Sequence, residues 1–89
     1  MLLKQNKSVL ARECQIKELG IFGSYVRGDQ KKNSDVDILV TFNRTPGFFD
    51  YLKVENRLSK ILKKRVDLVM KGSLKPNIGK NIMREVVYI

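Results

Sequence analysis

Ser34-Asp35-Val36-Asp37-Ile38-Leu39-Val40-Thr41-Phe42 is the stretch that decides the fold. Residues 36–42 form a run rich in β-branched side chains, between the polar loop QKKNS (residues 30–34) and a Pro46-Gly47 turn, which predicts a strand. Side chains two apart on a strand share a face. Asp35 and Asp37 therefore project from one side, followed by Leu39, while Val36, Ile38 and Val40 take the other. Two neighbouring carboxylates repel, and burying either one unpaired is expensive. Such a pair suits a hard divalent cation such as Mg²⁺.

Working outward, residues 48–63 repeat apolar positions at Tyr51, Val54, Leu58, Ile61 and Leu62, the spacing of an amphipathic helix. Arg65 to Met70 (RVDLVM) reads as a second strand, with Asp67 in its middle, where β propensity disfavours aspartate. Set beside the first strand, Asp67 would complete a three-carboxylate cluster for two metal ions. The alternative is structural: Asp35 capping a loop, Asp37 paired with Arg27, and Asp67 paired with Arg65 or a lysine. Three aspartates together in apolar strands favour the metal.

Upstream, residues 2–14 mix Leu3, Val9, Leu10 and Cys14 with polar residues as a moderately amphipathic helix. Within residues 16–22 only the apolar second half predicts a strand. Gly23-Ser24 breaks it, with Ser24 as the expected N-cap of a short helix running toward Asp29. Glycine lets backbone approach a phosphate, and a helix start offers free amides. Gly72 and Pro76 punctuate the C-terminal part, where residues 76–84 predict a last helix and residues 86–89 a short strand. The order α-β-α-β-α-β-α, with that fourth strand, gives an α/β (α+β) fold, a small mixed sheet flanked by helices in one domain over residues 1–89.

The chain has 89 residues, no histidine and one cysteine, Cys14. Ser-His-Asp and Cys-His catalysis, a structural zinc site and an intrachain disulfide are thereby excluded. A single thiol fits a reducing cytoplasm, residues 1–7 do not resemble a secretory signal, and no apolar run is long enough to span a membrane. Net charge is +9, concentrated beyond residue 50, so anionic partners are favoured. Lys53, Arg57, Lys60 and Lys64 form a stripe uninterrupted by acid, either a solvated face or a docking surface for an acidic toxin or RNA. Phe48, Phe49 and Tyr51 are candidates for exposure to a partner, with core packing expected for at least one of them, and Tyr25 and Cys14 are candidates for packing. Arg27 could reach a phosphate but is favoured as a structural brace.

Gly23-Ser24, ten residues, then Asp35-x-Asp37 is a specific combination. Together with Ile21 to Asp29, Lys64 to Val69, Lys71 to Pro76 and Arg84 to Ile89, it resembles the minimal nucleotidyltransferase (MNT) antitoxins of the DNA polymerase β-like superfamily. The resemblance implies an antitoxin of a type VII-like pair that transfers AMP from ATP to a tyrosine of a partner HEPN ribonuclease toxin. It also implies that Asp35 and Asp37 bind two Mg²⁺ ions, that Asp67 completes one metal site and helps activate the attacking hydroxyl, and that Gly23 and Ser24 hold the triphosphate. Two alternatives stand beside it. One is an antitoxin acting by occlusion alone, the other a nucleotidyltransferase with an RNA or small-molecule acceptor. With no second lobe in so short a chain, the acceptor is expected to arrive on another molecule.

Overall fold

The computed structural model describes residues 2–89, except the side chain of residue 2. Met1, part of the stretch read for a secretory signal, lies outside the described residues. The elements are α1 (Leu2–Cys14), β1 (Ile16–Phe22), α2 (Ser24–Arg27), β2 (Val36–Phe42), α3 (Phe48–Leu62), β3 (Val66–Met70), a 3₁₀ turn (Lys71–Ser73), α4 (Pro76–Glu85) and β4 (Val87–Tyr88). They build a four-stranded sheet in the order β3-β2-β1-β4. β1 runs antiparallel to β2 and β4, whereas β2 and β3 are parallel, joined by the α3 crossover. This is the mixed sheet flanked by helices that the sequence predicts.

Strand alternation divides the sheet into two unlike faces. Leu19, Ile21, Val36, Ile38, Val40, Val66 and Leu68 point to one side, where they meet Leu3 and Leu10 of α1 and Val54 and Leu58 of α3 in the hydrophobic core. Cys14, Tyr25, Tyr51, Ile61 and Leu62 pack against its margin, as their helical spacing and apolar character predict. The hydroxyl of Tyr51 donates to the Leu68 carbonyl, tying α3 to β3 through a polar tip on an apolar body. Asp37 and its register partners Phe22 and Asp67 face the opposite side, over which neither α1 nor α3 packs.

Several boundaries differ from the sequence reading. β1 is a strand throughout, not only in its second half. β4 pairs only with Gly20 and Ile21, so the first half of β1 has one free edge and tolerates polar residues. Lys17 is exposed there and Glu18 pairs with Lys71 at 3.8 Å. Ser24 is not the N-cap but the first residue of α2; Gly23 occupies the cap position, and no side chain caps the helix. α2 stops at Arg27 because Gly28 turns left-handed. α3 closes at Leu62, with Lys63 left-handed at φ 56°, so Lys64 lies beyond the helix rather than on its basic stripe. Among the described residues, no helix is long and apolar enough to cross a membrane.

Candidate active site

Register brings the candidate residues to one end of the sheet. Phe22, the last residue of β1, pairs with Asp37 near the start of β2, so Gly23 and Ser24 leave the sheet directly beside that aspartate. Asp37 pairs in turn with Asp67 on parallel β3. Adjacent strands lie about 4.8 Å apart, which makes these two carboxylates side-by-side neighbours on one face. Asp35 stands just ahead of β2, near enough for its charge to act on Asp37.

Asp37 is half-buried, whereas Asp35 and Asp67 are exposed. Desolvation pushes the Asp37 carboxyl above the usual carboxylate range, and the charges of Asp67 and Asp35 push it further the same way. Arg27 opposes the shift only in part. The structural alternative for Asp37 is therefore not what the chain adopts: Arg27 bonds Asp29 at 3.3 Å and Glu85 at 2.8 Å instead. Among the described residues, Asp35 and Asp67 form no ion pair either, and no three ligating side chains are gathered tightly enough to cage an ion as they stand. The donor chemistry nevertheless fits a hard cation. It consists of oxygen ligands only, and the mutual repulsion felt at Asp37 is what a divalent charge would relieve.

Gly23 has φ 80° and ψ −150°, a conformation essentially reserved for glycine. A Cβ at this position would collide with Oδ2 of Asp37. The backbone thus passes against the carboxylate at a distance no other residue type permits. The Gly23 N–H does not stand free for a phosphate: it donates to Oε1 of Glu85 at 2.5 Å. Its carbonyl accepts from Val26 and Arg27 at 3.0 and 3.1 Å. The amides of Ser24 and Tyr25, at the start of a one-turn helix, have no intrahelical partner.

Sequence reasoning missed two features. Glu85 resembles a solvated helix-end charge, and its partners lie 62 and 58 residues away in the chain. The second is a cleft of about 480 Å³ beside Asp35, lined by Lys32, Asn33, Ser34, Lys63, Lys64 and Arg65. The charge runs 31–32 and 63–65 were its only signal. The predicted stripe on α3 is less continuous than it looked, since Arg57 pairs with Glu13 of α1 at 3.0 Å and Lys64 sits 5.9 Å over the Tyr25 ring. Phe48 and Phe49 are 70% and 76% exposed.

Comparison with known proteins agrees with this arrangement. The family model for the nucleotidyltransferase domain matches residues 3–89. A protein adenylyltransferase, MntA of Thermococcus cleftensis, is 48% identical over 88 residues, covering 99% of this chain and 89% of the relative. A solved minimal nucleotidyltransferase superposes with a TM-score of 0.80 at 30% identity, over 94% of this chain and 85% of the other. A toxin-antitoxin crystal structure with AMP-PNP gives 0.78 at 25% identity, over 96% and 70%. With its sheet, its Gly-Ser loop and its aspartates in these positions, the chain belongs to the nucleotidyltransferase domain family, in its minimal form, and is a nucleotidyl-transferring enzyme.

Proposed function

We propose that this protein is a Mg²⁺-dependent protein adenylyltransferase of the cytoplasm, acting as the antitoxin that moves AMP from ATP onto a tyrosine of a partner HEPN ribonuclease toxin. The observation that carries the reading is the convergence of the Gly23-Ser24 loop with Asp35, Asp37 and Asp67 at one sheet end. The AMP-transferring relative and the complex with an ATP analogue support it.

In this reading Asp35 and Asp37 hold two Mg²⁺ ions and Asp67 completes one of the sites. Bound Mg²⁺ supplies charge neutralisation at the phosphates of ATP and the developing leaving group. Gly23 and Ser24 hold the triphosphate, Ser24 through its hydroxyl and amide and Gly23 through the glycine-only turn that sets them beside Asp37. Asp67 faces the attacking tyrosine hydroxyl and helps remove its proton as the oxygen bonds the α-phosphorus and pyrophosphate departs. Positioning and electrostatics carry the reaction, so the absence of histidine costs nothing. The single domain, residues 1–89, holds the nucleotide while the partner brings the acceptor.

The test combines purified protein, Mg²⁺, ATP labelled at the α-phosphate, and the toxin encoded beside it. Label on the toxin with the wild type, and none with Asp35→Asn/Asp37→Asn, is the expected result. An active double variant would remove the metal assignment. A tight, inhibitory complex without label would replace transfer by occlusion. A second reading, transfer to an RNA 3′ end, is favoured by the cationic cleft beside Asp35. Label on tRNA and not on the toxin would establish it.

A further inference from the structure

We infer that Glu85 is a positioning residue for nucleotidyl transfer, setting the Gly23-Ser24 loop against Asp37; the inference rests on the phosphate-holding role proposed for that loop. Glu85 is the last residue of α4. A negative charge at a helix C-terminus opposes the helix dipole, so its location is locally unfavourable and has its cause elsewhere in the fold. Its side chain is 23% exposed, and one oxygen, Oε1, accepts from both the Gly23 N–H at 2.5 Å and Arg27 Nη1 at 2.8 Å. Charged acceptors make the stronger hydrogen bonds, and two donors on one oxygen define its place.

The geometry links four groups in a row. Arg27, at the end of α2, holds Glu85; Glu85 holds the Gly23 amide; and the other side of Gly23 lies against the Asp37 carboxylate, where a Cβ has no room. With φ at 80°, Gly23 is the residue of the loop with the widest conformational choice, and the loop is therefore the part of the site that most needs an external restraint. Glu85 supplies it from the far end of the chain. Arg27 offsets its charge, so the carboxylate fixes the backbone without standing as a bare anion beside the triphosphate. Glu85 makes no contact with the reacting atoms in this arrangement; it acts through Gly23.

The experiment compares full-length wild type, Glu85→Ala and Glu85→Gln, after thermal melts show which variants are folded. Three quantities are read: kcat for AMP transfer to the toxin, the dissociation constant of a non-hydrolysable ATP analogue with Mg²⁺, and the Gly23 amide in ¹H–¹⁵N spectra. Glu85→Ala is expected to move the Gly23 amide signal upfield and to lower kcat by about 10²-fold, the scale of an ångström misplacement, with a much smaller change in analogue affinity. Glu85→Gln, whose amide oxygen still accepts from Gly23, is expected to restore most of kcat. The inference is overturned if Glu85→Ala leaves kcat and the Gly23 signal unchanged. It is equally overturned if the variant binds the analogue more tightly, since Glu85 would then be competing with phosphate for the amide. A wild type that transfers no AMP overturns the proposed function and this inference with it, whereas an unmoved Gly23 signal in an otherwise active series overturns this inference alone.

Discussion

Replacing Gly23 by alanine tests the close approach of loop and carboxylate directly. Two costs are separable. The backbone conformation, φ 80° and ψ −150°, lies where a side chain is strained by on the order of 1–3 kcal/mol. The added Cβ also meets Asp37 Oδ2, and overfilling a packed contact costs roughly another 1–3 kcal/mol. Together these predict a loss of about 2–6 kcal/mol if the loop stays in place. If the loop instead flips to shed the strain, the stability loss shrinks but the Gly23 amide leaves Glu85 and transfer collapses. Gly28→Ala is the control: φ is 81°, yet nothing lies within 4 Å of a Cβ there. It is expected to cost about 1–2 kcal/mol and to leave AMP transfer near wild type. Urea unfolding and toxin labelling are measured for both. Gly23→Ala matching wild type in unfolding midpoint and in labelling would refute the reasoning, because strain, collision and loop geometry would all have to be absent.

Metal and pH bear on the same carboxylates. Desolvation first, then Asp67 and Asp35, raise the folded-state pKa of Asp37 above 3.8, so the folded protein holds this proton more tightly than the unfolded chain. Its contribution to stability therefore falls as pH rises from about 3.8 through the raised value, so that the ionised form is a burden to the metal-free protein. Asp37→Asn should raise the metal-free melting temperature at pH 7 and diminish the gain on adding Mg²⁺; an unchanged Mg²⁺ gain would contradict the assignment. Leu58 is 0% exposed in the core, so Leu58→Ala should cost about 2–5 kcal/mol in urea unfolding, and a loss below 1 kcal/mol would place the core wrongly. Reversing charge with Lys32→Glu/Arg65→Glu should slow labelling of the acceptor, most at low salt, while ATP-analogue affinity holds. Equal labelling rates across salt would detach the cleft from acceptor capture.

What was legible locally came from periodicity. The alternation through residues 36–42 and the spacing of Tyr51, Val54, Leu58, Ile61 and Leu62 recur in β2 and α3 because each element has one buried side, and burial writes itself into the sequence at the period of the backbone. Residues 16–19 carry no such periodic mark. Their strand has a free edge, and an edge accepts Lys17 and Glu18 without an apolar pattern. The side chain of Ser24 suits a cap, but the turn is made by the backbone of Gly23. The spacing of Lys53, Arg57 and Lys60 extends to Lys64 in sequence, but the helix ends where Lys63 turns left-handed.

The sequence by itself determined the residue types available for catalysis, the parity that puts Asp35 and Asp37 on one face, and the ten-residue interval between Gly23-Ser24 and those aspartates. These are properties of composition and of short stretches, where chemistry and backbone geometry suffice. Only the tertiary structure decided that Asp37 lies beside Asp67 rather than one residue out of register, that Arg27 braces Glu85 rather than Asp37, and that Glu85 reaches Gly23 from 62 residues away. Strand register, the turn at Gly23 and the return of the C-terminal helix are set by packing and hydrogen bonding across the whole chain. A carboxylate in a sequence carries no mark of which of several distant donors it will find.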